Sequence, residues 1–211
     1  MSSRAPTSAQ PMAELTARSR LLKAAAALFA EQGAAAVSMD QVRQRAGVSN
    51  GSLYHHFPTR QHLAHALYGD ILGDYHRALL ARLHRARSAE AGVKALVGAH
   101  IQWVLDAPVQ ARLLHELRRS GALSADEAPW SGPNAQAFAA LGQWVADQVA
   151  GGAMRAMPMR VWSALVFAPA ISLTPHWLER DPPEVPAAVR QALAEGAWRA
   201  VSPATDPNAS T

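Results

Sequence analysis

The chain of 211 residues contains no cysteine, which excludes disulfides, thiol nucleophiles and cysteine-ligated metal sites. It also lacks long apolar runs: the longest, residues 161–173, is interrupted by Pro169 and is too short to span a bilayer. The first eleven residues are rich in Ser, Ala and Pro and have no apolar stretch of the kind found in signal peptides. These absences predict a cytoplasmic protein with no membrane partner and a disordered N-terminal arm.

Several known catalytic motifs are absent as well. The sequence has no P-loop, Rossmann fingerprint or H-E-x-x-H helix. His55, His56, His62 and His65 lie close together in the sequence, but no carboxylate cluster accompanies them, which argues against a metal site. We therefore expect no enzyme activity, no catalytic residues, no metal and no cofactor.

Positive charge is concentrated near the N-terminus. Residues 1–63 contain seven Lys/Arg and three acidic residues, so they carry the whole net charge of +4, while the rest of the chain is balanced. A basic segment of this kind indicates contact with a polyanion such as DNA. A solvated basic surface without a ligand explains the charge count equally well.

Apolar residues recur at helical spacing along most of the chain, and no segment alternates with the period of a strand. The sequence predicts an all-α fold of about nine helices, with an N-terminal three-helix head that contains a helix-turn-helix, followed by an antiparallel helical bundle. The predicted boundaries are a disordered arm at 1–13, the head at 14–58, a helical body at 59–201 and a disordered tail at 202–211.

The head carries the clearest local signals. Its first helix is predicted over residues 14–32, and Ser38 stands three residues before Gln41, the spacing of a capping box for the second helix. Gly47 permits a tight turn, and Ser49 can cap a short third helix that ends before Pro58. Two short helices joined in this way form a helix-turn-helix whose second helix can enter the major groove. An ordinary helical hairpin has the same spacing.

The body is predicted to contain the remaining helices. Thr59 caps a long helix to about residue 87, and Pro108 opens a helix to Gly121 after another over 93–104. A loop at 122–133 precedes a helix that Asn134 caps and Gly151-Gly152 ends. The last two helices are predicted at 161–177, kinked at Pro169, and at 189–201.

The head closely resembles the TetR family of transcriptional regulators over roughly residues 18–67. The resemblance is carried by residues 21–25, 28–29, 33, 37–40, 46–57 and 63. It implies that the first three helices bind DNA and that the fourth links this head to a divergent body. That body, residues 59–201, is then the ligand-binding and dimerisation domain.

The resemblance also places polar residues of this chain at positions that contact DNA in the family. The predicted DNA-binding set is Arg18, Ser38, Arg43, Ser49, Asn50, Gly51, Ser52, Tyr54, His55 and Arg60. Arg43 stands where the family commonly has alanine, so it either adds a phosphate contact or points to solvent. The apolar residues between them are predicted to form the core of the head: Leu21, Leu28, Phe29, Val42, Val48, Leu53 and Phe57.

All six tryptophans lie after residue 100. Such enrichment fits an apolar ligand cavity, and it fits plain helix packing as well. The predicted ligand-binding residues are His100, Trp103, Phe138, Trp144 and Trp162, with core packing as the alternative for each. Because the last two helices of the family usually pair with those of a second copy, the predicted dimer interface is Val161, Leu165, Val189, Leu193 and Trp198.

The sequence thus predicts a homodimeric transcriptional regulator, with repression as its default action. It is expected to bind a pseudo-palindromic DNA operator through its third helix and to be released by a small, largely apolar effector. The alternative is a ligand-binding or interaction module that binds DNA without sequence specificity.

Overall fold

The computed structural model describes residues 10–119 and 134–203, with side chains from residue 17 onward in the first range. Within these residues the chain forms helices and no strand, which confirms the all-α prediction. The helices are α1 (Gln10–Gln32), α2 (Met39–Ala46), α3 (Asn50–His56), α4 (Arg60–Leu83), α5 (Ala89–Asp106), α6 (Pro108–Arg119), α7 (Ala135–Ala150), α8 (Met159–Trp177) and α9 (Ala187–Val201). None of these described helices combines the length and apolar character that a membrane crossing requires.

Several helix ends differ from the prediction. The N-terminal arm was predicted to be disordered through residue 13, which is wrong for residues 10–13 because α1 begins at Gln10. Pro11 is tolerated there, since the first turn of a helix has no carbonyl partner for its missing N–H. Helix α4 ends at Leu83 rather than near residue 87, because Ser88 caps the next helix: its Oγ accepts the N–H of Ala91 at 3.1 Å. The predicted loop at 122–133 and most of the predicted tail lie outside the described residues.

The predicted helix caps of the head are present. Ser38 and Gln41 form a reciprocal capping box, in which Ser38 Oγ accepts the Gln41 N–H at 3.2 Å and Gln41 Oε1 accepts the Ser38 N–H at 2.7 Å. Gly47 adopts the left-handed conformation, with φ 63°, and its N–H bonds back to the end of α2. Ser49 Oγ accepts the Ser52 N–H at 3.1 Å and so caps α3. Asn134 differs: it occupies the cap position of α7, but its side chain makes no capping hydrogen bond.

The chain divides into two compact units. Among the described residues, unit 1 is formed by 10–70 together with 113–119, and unit 2 by 71–112 together with 134–203. The division differs from the predicted boundary at residue 58, because α4 runs without a break from Arg60 to Leu83 and its first half belongs to unit 1. Every predicted core residue of the head is buried in unit 1.

The core of unit 2 is built around α5, which packs against α8 and α9. Five apolar residues of α5 are almost fully buried: Val93, Leu96, Val97, Ile101 and Val104. Helix α7 packs closely on the same helix, since a Cβ added to Gly92 would lie 2.4 Å from Cζ2 of Trp144. Glycine at this position is therefore what allows the indole ring to lie against the helix backbone.

Candidate nucleic-acid interface and ligand site

Helix α3 exposes one polar face. Its residues Asn50, Gly51, Tyr54 and His55 are exposed, whereas Leu53 is fully buried in unit 1. The four exposed positions follow i, i+1, i+4 and i+5, so they share one side of the helix. Tyr54 is 47% exposed, a large value for an aromatic side chain, and its hydroxyl is therefore available to an external partner.

The residues at the start of α3 have small side chains. No atom lies within 4 Å of a Cβ added to Gly51, so the packing of the protein itself gives no reason for glycine there. Glycine does allow the backbone of another molecule to approach α3 closely. Ser38 and Ser49 are exposed as predicted, but both hydroxyl oxygens are engaged as helix caps, and Ser52 is half-buried. Of the predicted serines, we can therefore assign a structural role to Ser38 and Ser49.

The predicted cations differ in their partners. Arg18 is exposed and lies over the ring of Phe57, with its guanidinium carbon 5.7 Å from the ring centroid. Arg60 is exposed at the start of α4 and makes no ion pair within the part of the chain that the structure describes. Arg43 is half-buried, and its Nε donates to Asp40 Oδ1 at 2.7 Å. DNA contact by Arg43 stays a prediction.

Two further arginines of unit 1 have structural partners that sequence reasoning missed. Arg45 forms a two-pronged pair with Glu31, at 2.5 and 2.7 Å, and this hydrogen bonding lowers the pKa of Glu31. Arg20 Nη1 lies 3.5 Å from the carbonyl oxygen of Gly47, where it supports the turn between α2 and α3. The net charge of +4 already subtracts Glu31, so the Arg45–Glu31 pair leaves the net charge of the head unchanged.

His100 belongs to a buried hydrogen-bonded chain. Its Nδ1 lies 3.1 Å from the hydroxyl of Tyr75, and its Nε2 lies 3.0 Å from Oγ1 of Thr174. Thr174 donates its proton to the carbonyl of Ala170, so its oxygen accepts from Nε2–H and leaves Nδ1 to accept from Tyr75. Burial lowers the pKa of His100 to about 4 and keeps the ring neutral. Both ring nitrogens are therefore used within the protein. Ligand contact by His100 stays a prediction.

The predicted aromatic ligand residues fall into two groups. Trp103 packs edge-on against Tyr75, with ring centroids 5.0 Å apart, and Tyr75 also contacts the His100 ring. Trp144 packs edge-on against Trp162, with centroids 6.4 Å apart. Trp162 is fully buried and its indole N–H has no hydrogen-bond partner in the described residues. Phe138 is half-buried on α7. Ligand contact by these residues stays a prediction.

The predicted dimer residues lie on α8 and α9, which pack against each other. Val161 and Leu165 of α8 are 46% and 38% exposed, whereas Val189, Leu193 and Trp198 of α9 are half-buried. Sequence reasoning missed two further exposed apolar residues of α8, Ile171 and Leu173. Dimerisation through this surface stays a prediction.

No metal site is found in the described residues, where no group of three His, Asp or Glu side chains is placed to hold an ion.

The family model for bacterial regulatory proteins of the tetR family matches residues 21–67, which include α2, the turn at Gly47 and α3. Residues 21–67 of the chain are thus the helix-turn-helix segment of the TetR family.

Two curated relatives are similar to part of the chain. The transcriptional repressor KstR2 of Rhodococcus jostii is 33% identical over 78 residues, which cover 35% of this chain and 38% of the relative. The transcriptional regulator UidR of Escherichia coli is 40% identical over 73 residues, which cover 35% of this chain and 33% of the relative. The alignments thus span little more than a third of these relatives. Both are named as regulators of transcription, which argues against an enzyme.

Solved structures share the TetR fold along most of the chain. A TetR family regulator from Marinobacter aquaeolei superposes with a TM-score of 0.74 at 19% identity, over 92% of this chain and 99% of that protein. The regulator FadR from Bacillus subtilis, solved in complex with stearoyl-CoA, superposes with a TM-score of 0.64 at 15% identity, over 85% and 96% of the two chains. At this level of identity the likeness is one of fold.

Proposed function

We propose that this chain is a homodimeric TetR regulator that represses transcription by binding a pseudo-palindromic operator through α3. The observation that carries the proposal is the exposed face of α3, where Asn50, Gly51, Tyr54 and His55 follow the left-handed turn at Gly47. Small polar residues at the start of such a helix, with tyrosine and histidine one turn later, suit contacts to base edges and phosphates.

The relatives support this proposal for the head. KstR2 and UidR are named as a repressor and a regulator of transcription, and each aligns with 35% of this chain. Repression follows from blocking promoter access when a dimer occupies its operator. Two heads related by a two-fold axis would read half-sites roughly 34–36 Å apart, which is one turn of DNA.

The exposed side chains of α8 support a homodimer. Val161 and Leu165 leave much of their apolar surface in contact with water, at 46% and 38% exposure, and a second copy of the same surface would cover it. An interface between two copies related by a two-fold axis has the same residues on both sides. This suits a protein that reads two symmetric half-sites.

Release by a small, largely apolar effector is the remaining part of the proposal. The FadR structure was solved with stearoyl-CoA, which supports a body of this fold as a place for an apolar ligand. The aromatic residues of unit 2 offer apolar contacts of the required kind. An effector can release DNA only if it binds the free and the DNA-bound conformations with different affinities.

The experiment is a selection of bound duplexes from a random pool, followed by titration of the selected duplex at physiological salt. We expect Asn50→Ala to weaken binding of that duplex by about tenfold or more, because a good contact to a base contributes about 1–3 kcal/mol of discrimination. Gln110→Ala, which removes an exposed amide from α6, is the control and should have no effect.

Two results would contradict the proposal. One is equal affinity for selected and random duplexes, which would favour the non-specific alternative. The other is equal binding by the Asn50 variant and the wild type. The salt dependence adds an independent measurement: Arg60→Gln should lower the slope of log K against log salt concentration by about one if Arg60 contacts a phosphate.

A further inference from the structure

A small groove runs along the C-terminal halves of α4 and α5 in unit 2, and its volume is about 240 Å³. The wall from α4 and the turn that follows it is made by Ala78, Ala81, Arg82 and Arg85. The wall from α5 is made by Ala99, Gln102, Trp103 and Asp106. Each set follows i, i+3, i+4 and i+7, so each forms one stripe along its helix. The groove therefore lies between two stripes of side chains, one on each wall.

The α4 wall is strongly basic. Arg82 and Arg85 are both exposed, and neither has a carboxylate partner in the described residues. Residues 75–89 contain four arginines and no acidic residue. Two arginines three residues apart, neither of them in an ion pair with a described residue, attract an anion. The planar guanidinium matches the two oxygens of a carboxylate in particular.

The α5 wall is mostly neutral or apolar. Its one acid, Asp106, accepts a hydrogen bond at 2.7 Å from the Gln102 amide, whose oxygen lies 3.4 Å from Nη1 of Arg190. Asp106 is therefore held by its own helix, while Arg190 contacts Gln102 and not Asp106. Trp103 is held by its edge-on contact with Tyr75 and supplies an aromatic surface beside the alanines. The groove thus has a cationic side and an aromatic side, and the aromatic side also carries the carboxylate of Asp106.

We propose that this groove binds a small aromatic carboxylate. The carboxylate would pair with Arg82 and Arg85, and the ring would pack against Trp103 and the small alanine side chains. The volume of about 240 Å³ is below the range usual for drug-sized ligands, so it suits a molecule with a single ring. The role of this ligand as the effector rests on the proposed function. Its binding to the groove does not depend on that function.

Calorimetry on the full chain tests the site, with benzoate and phenylacetate as probes. For molecules of this size we expect a Kd of about 1 mM, with quenching or a shift of the tryptophan fluorescence on binding. Benzamide has nearly the same shape but no charge, and it should bind at least about tenfold more weakly because it loses the charge-assisted hydrogen bonds.

Two variants and one control separate the role of the groove from general charge. The double variant Arg82→Gln/Arg85→Gln should weaken binding of benzoate by about tenfold or more. Ala81→Leu should also weaken it, because it fills the groove from an exposed position without altering charge. Arg87→Gln removes an exposed arginine that does not line the groove, and binding should stay within about twofold of wild type. Circular dichroism checks that each variant is folded.

Four results would overturn the proposal: no binding of either probe up to about 20 mM, equal binding of benzamide, binding of inorganic phosphate as tight as that of benzoate, or full binding by the double variant. Release of the selected operator is measured separately. Binding of benzoate without release would refute its role as effector and leave the site intact. Failure of operator binding itself would refute the proposed function without touching the groove.

Discussion

Gly47 and Gly51 stand four residues apart in the helix-turn-helix and serve different purposes. Gly47 has φ 63°, a left-handed backbone conformation that is energetically unfavourable for residues with a Cβ. Gly51 lies in the first turn of α3, and a Cβ there would meet nothing within 4 Å. The first glycine is therefore required by the backbone of the protein, and the second only by whatever approaches α3 from outside.

We expect Gly47→Ala to lower the free energy of unfolding by about 1–2 kcal/mol, because alanine is strained in the left-handed region. Gly51→Ala should raise it by up to about 1 kcal/mol, since alanine favours the helix, while weakening binding of the selected duplex. Urea denaturation and duplex titration measure the two effects. Equal effects of both substitutions on stability would contradict this account.

His100 shows how one buried side chain makes stability depend on pH. Its pKa is lowered to about 4 by burial, whereas the unfolded chain has the ordinary value near 6.5. Between these values the unfolded chain binds a proton that the folded protein does not. Stability contributed by the neutral ring is therefore complete above pH 6.5 and declines as the pH falls toward about 4. Burial raises the pKa of Tyr75, which stays neutral over the same range.

We expect the wild type to lose about 2 kcal/mol more stability than His100→Gln between pH 7 and pH 5. Urea denaturation at both pH values measures the difference. Comparison with the variant cancels the contribution of the other histidines, including His76, whose pKa is also lowered by burial. Parallel pH dependence in the two proteins would show that His100 does not carry this effect.

At the scale of the element, α5 is the helix on which unit 2 is built. Gly92 and Gly98 both lie in α5, but only Gly92 faces a neighbouring ring, with Trp144 Cζ2 at 2.4 Å from an added Cβ. Nothing lies within 4 Å of a Cβ added to Gly98. The same helix therefore carries one glycine that packing needs and one that it does not.

Gly92→Ala should lower the free energy of unfolding by about 1–3 kcal/mol, because the added methyl group displaces the Trp144 ring. Gly98→Ala is the matched control and should be neutral or stabilising by up to about 1 kcal/mol. Thermal unfolding and tryptophan fluorescence report both variants. If only Gly98→Ala lost stability, the result would contradict the packing of Trp144 of α7 against Gly92 of α5.

At the scale of the whole molecule, the proposed homodimer would link dimerisation to operator affinity. Leu165 of α8 and Val109 of α6 are similarly exposed, at 38% and 44%, but only Leu165 belongs to the proposed dimer surface. A charge placed on both sides of a two-fold interface meets its own copy and must lose its water. The head itself is unchanged by such a substitution.

We therefore expect Leu165→Glu to convert the dimer to a monomer, as measured by analytical ultracentrifugation, while Val109→Glu leaves it dimeric. The monomer should bind the full palindrome no more tightly than a single half-site, because the second contact is no longer intramolecular. A Leu165 variant that stays dimeric, or a monomeric wild type, would refute the proposed dimer surface.

The sequence alone determined the local features of the head. Each of three features depends on residues within a few positions of one another: the capping box at Ser38, the turn at Gly47 and the cap at Ser49. Their hydrogen bonds can therefore be predicted from the spacing of these residues in the sequence. The family of the head followed from the same contiguous stretch. The sequence predicts the helix ends less well. Helix α1 begins at Gln10, before Pro11, and α4 ends at Leu83, five residues before Ser88, which caps α5.

Only the tertiary structure decided what the long-range partners are. His100 meets Thr174, and Trp144 lies on Gly92, through packing that no local pattern encodes. The same holds for Arg45 of α2, whose charge is met by Glu31 of α1. The pair of Arg43 with Asp40 is local, because the two residues are three positions apart in α2. Helical spacing shows which side of a helix is apolar; which ring, carboxylate or groove that side meets depends on contacts between residues far apart in the chain.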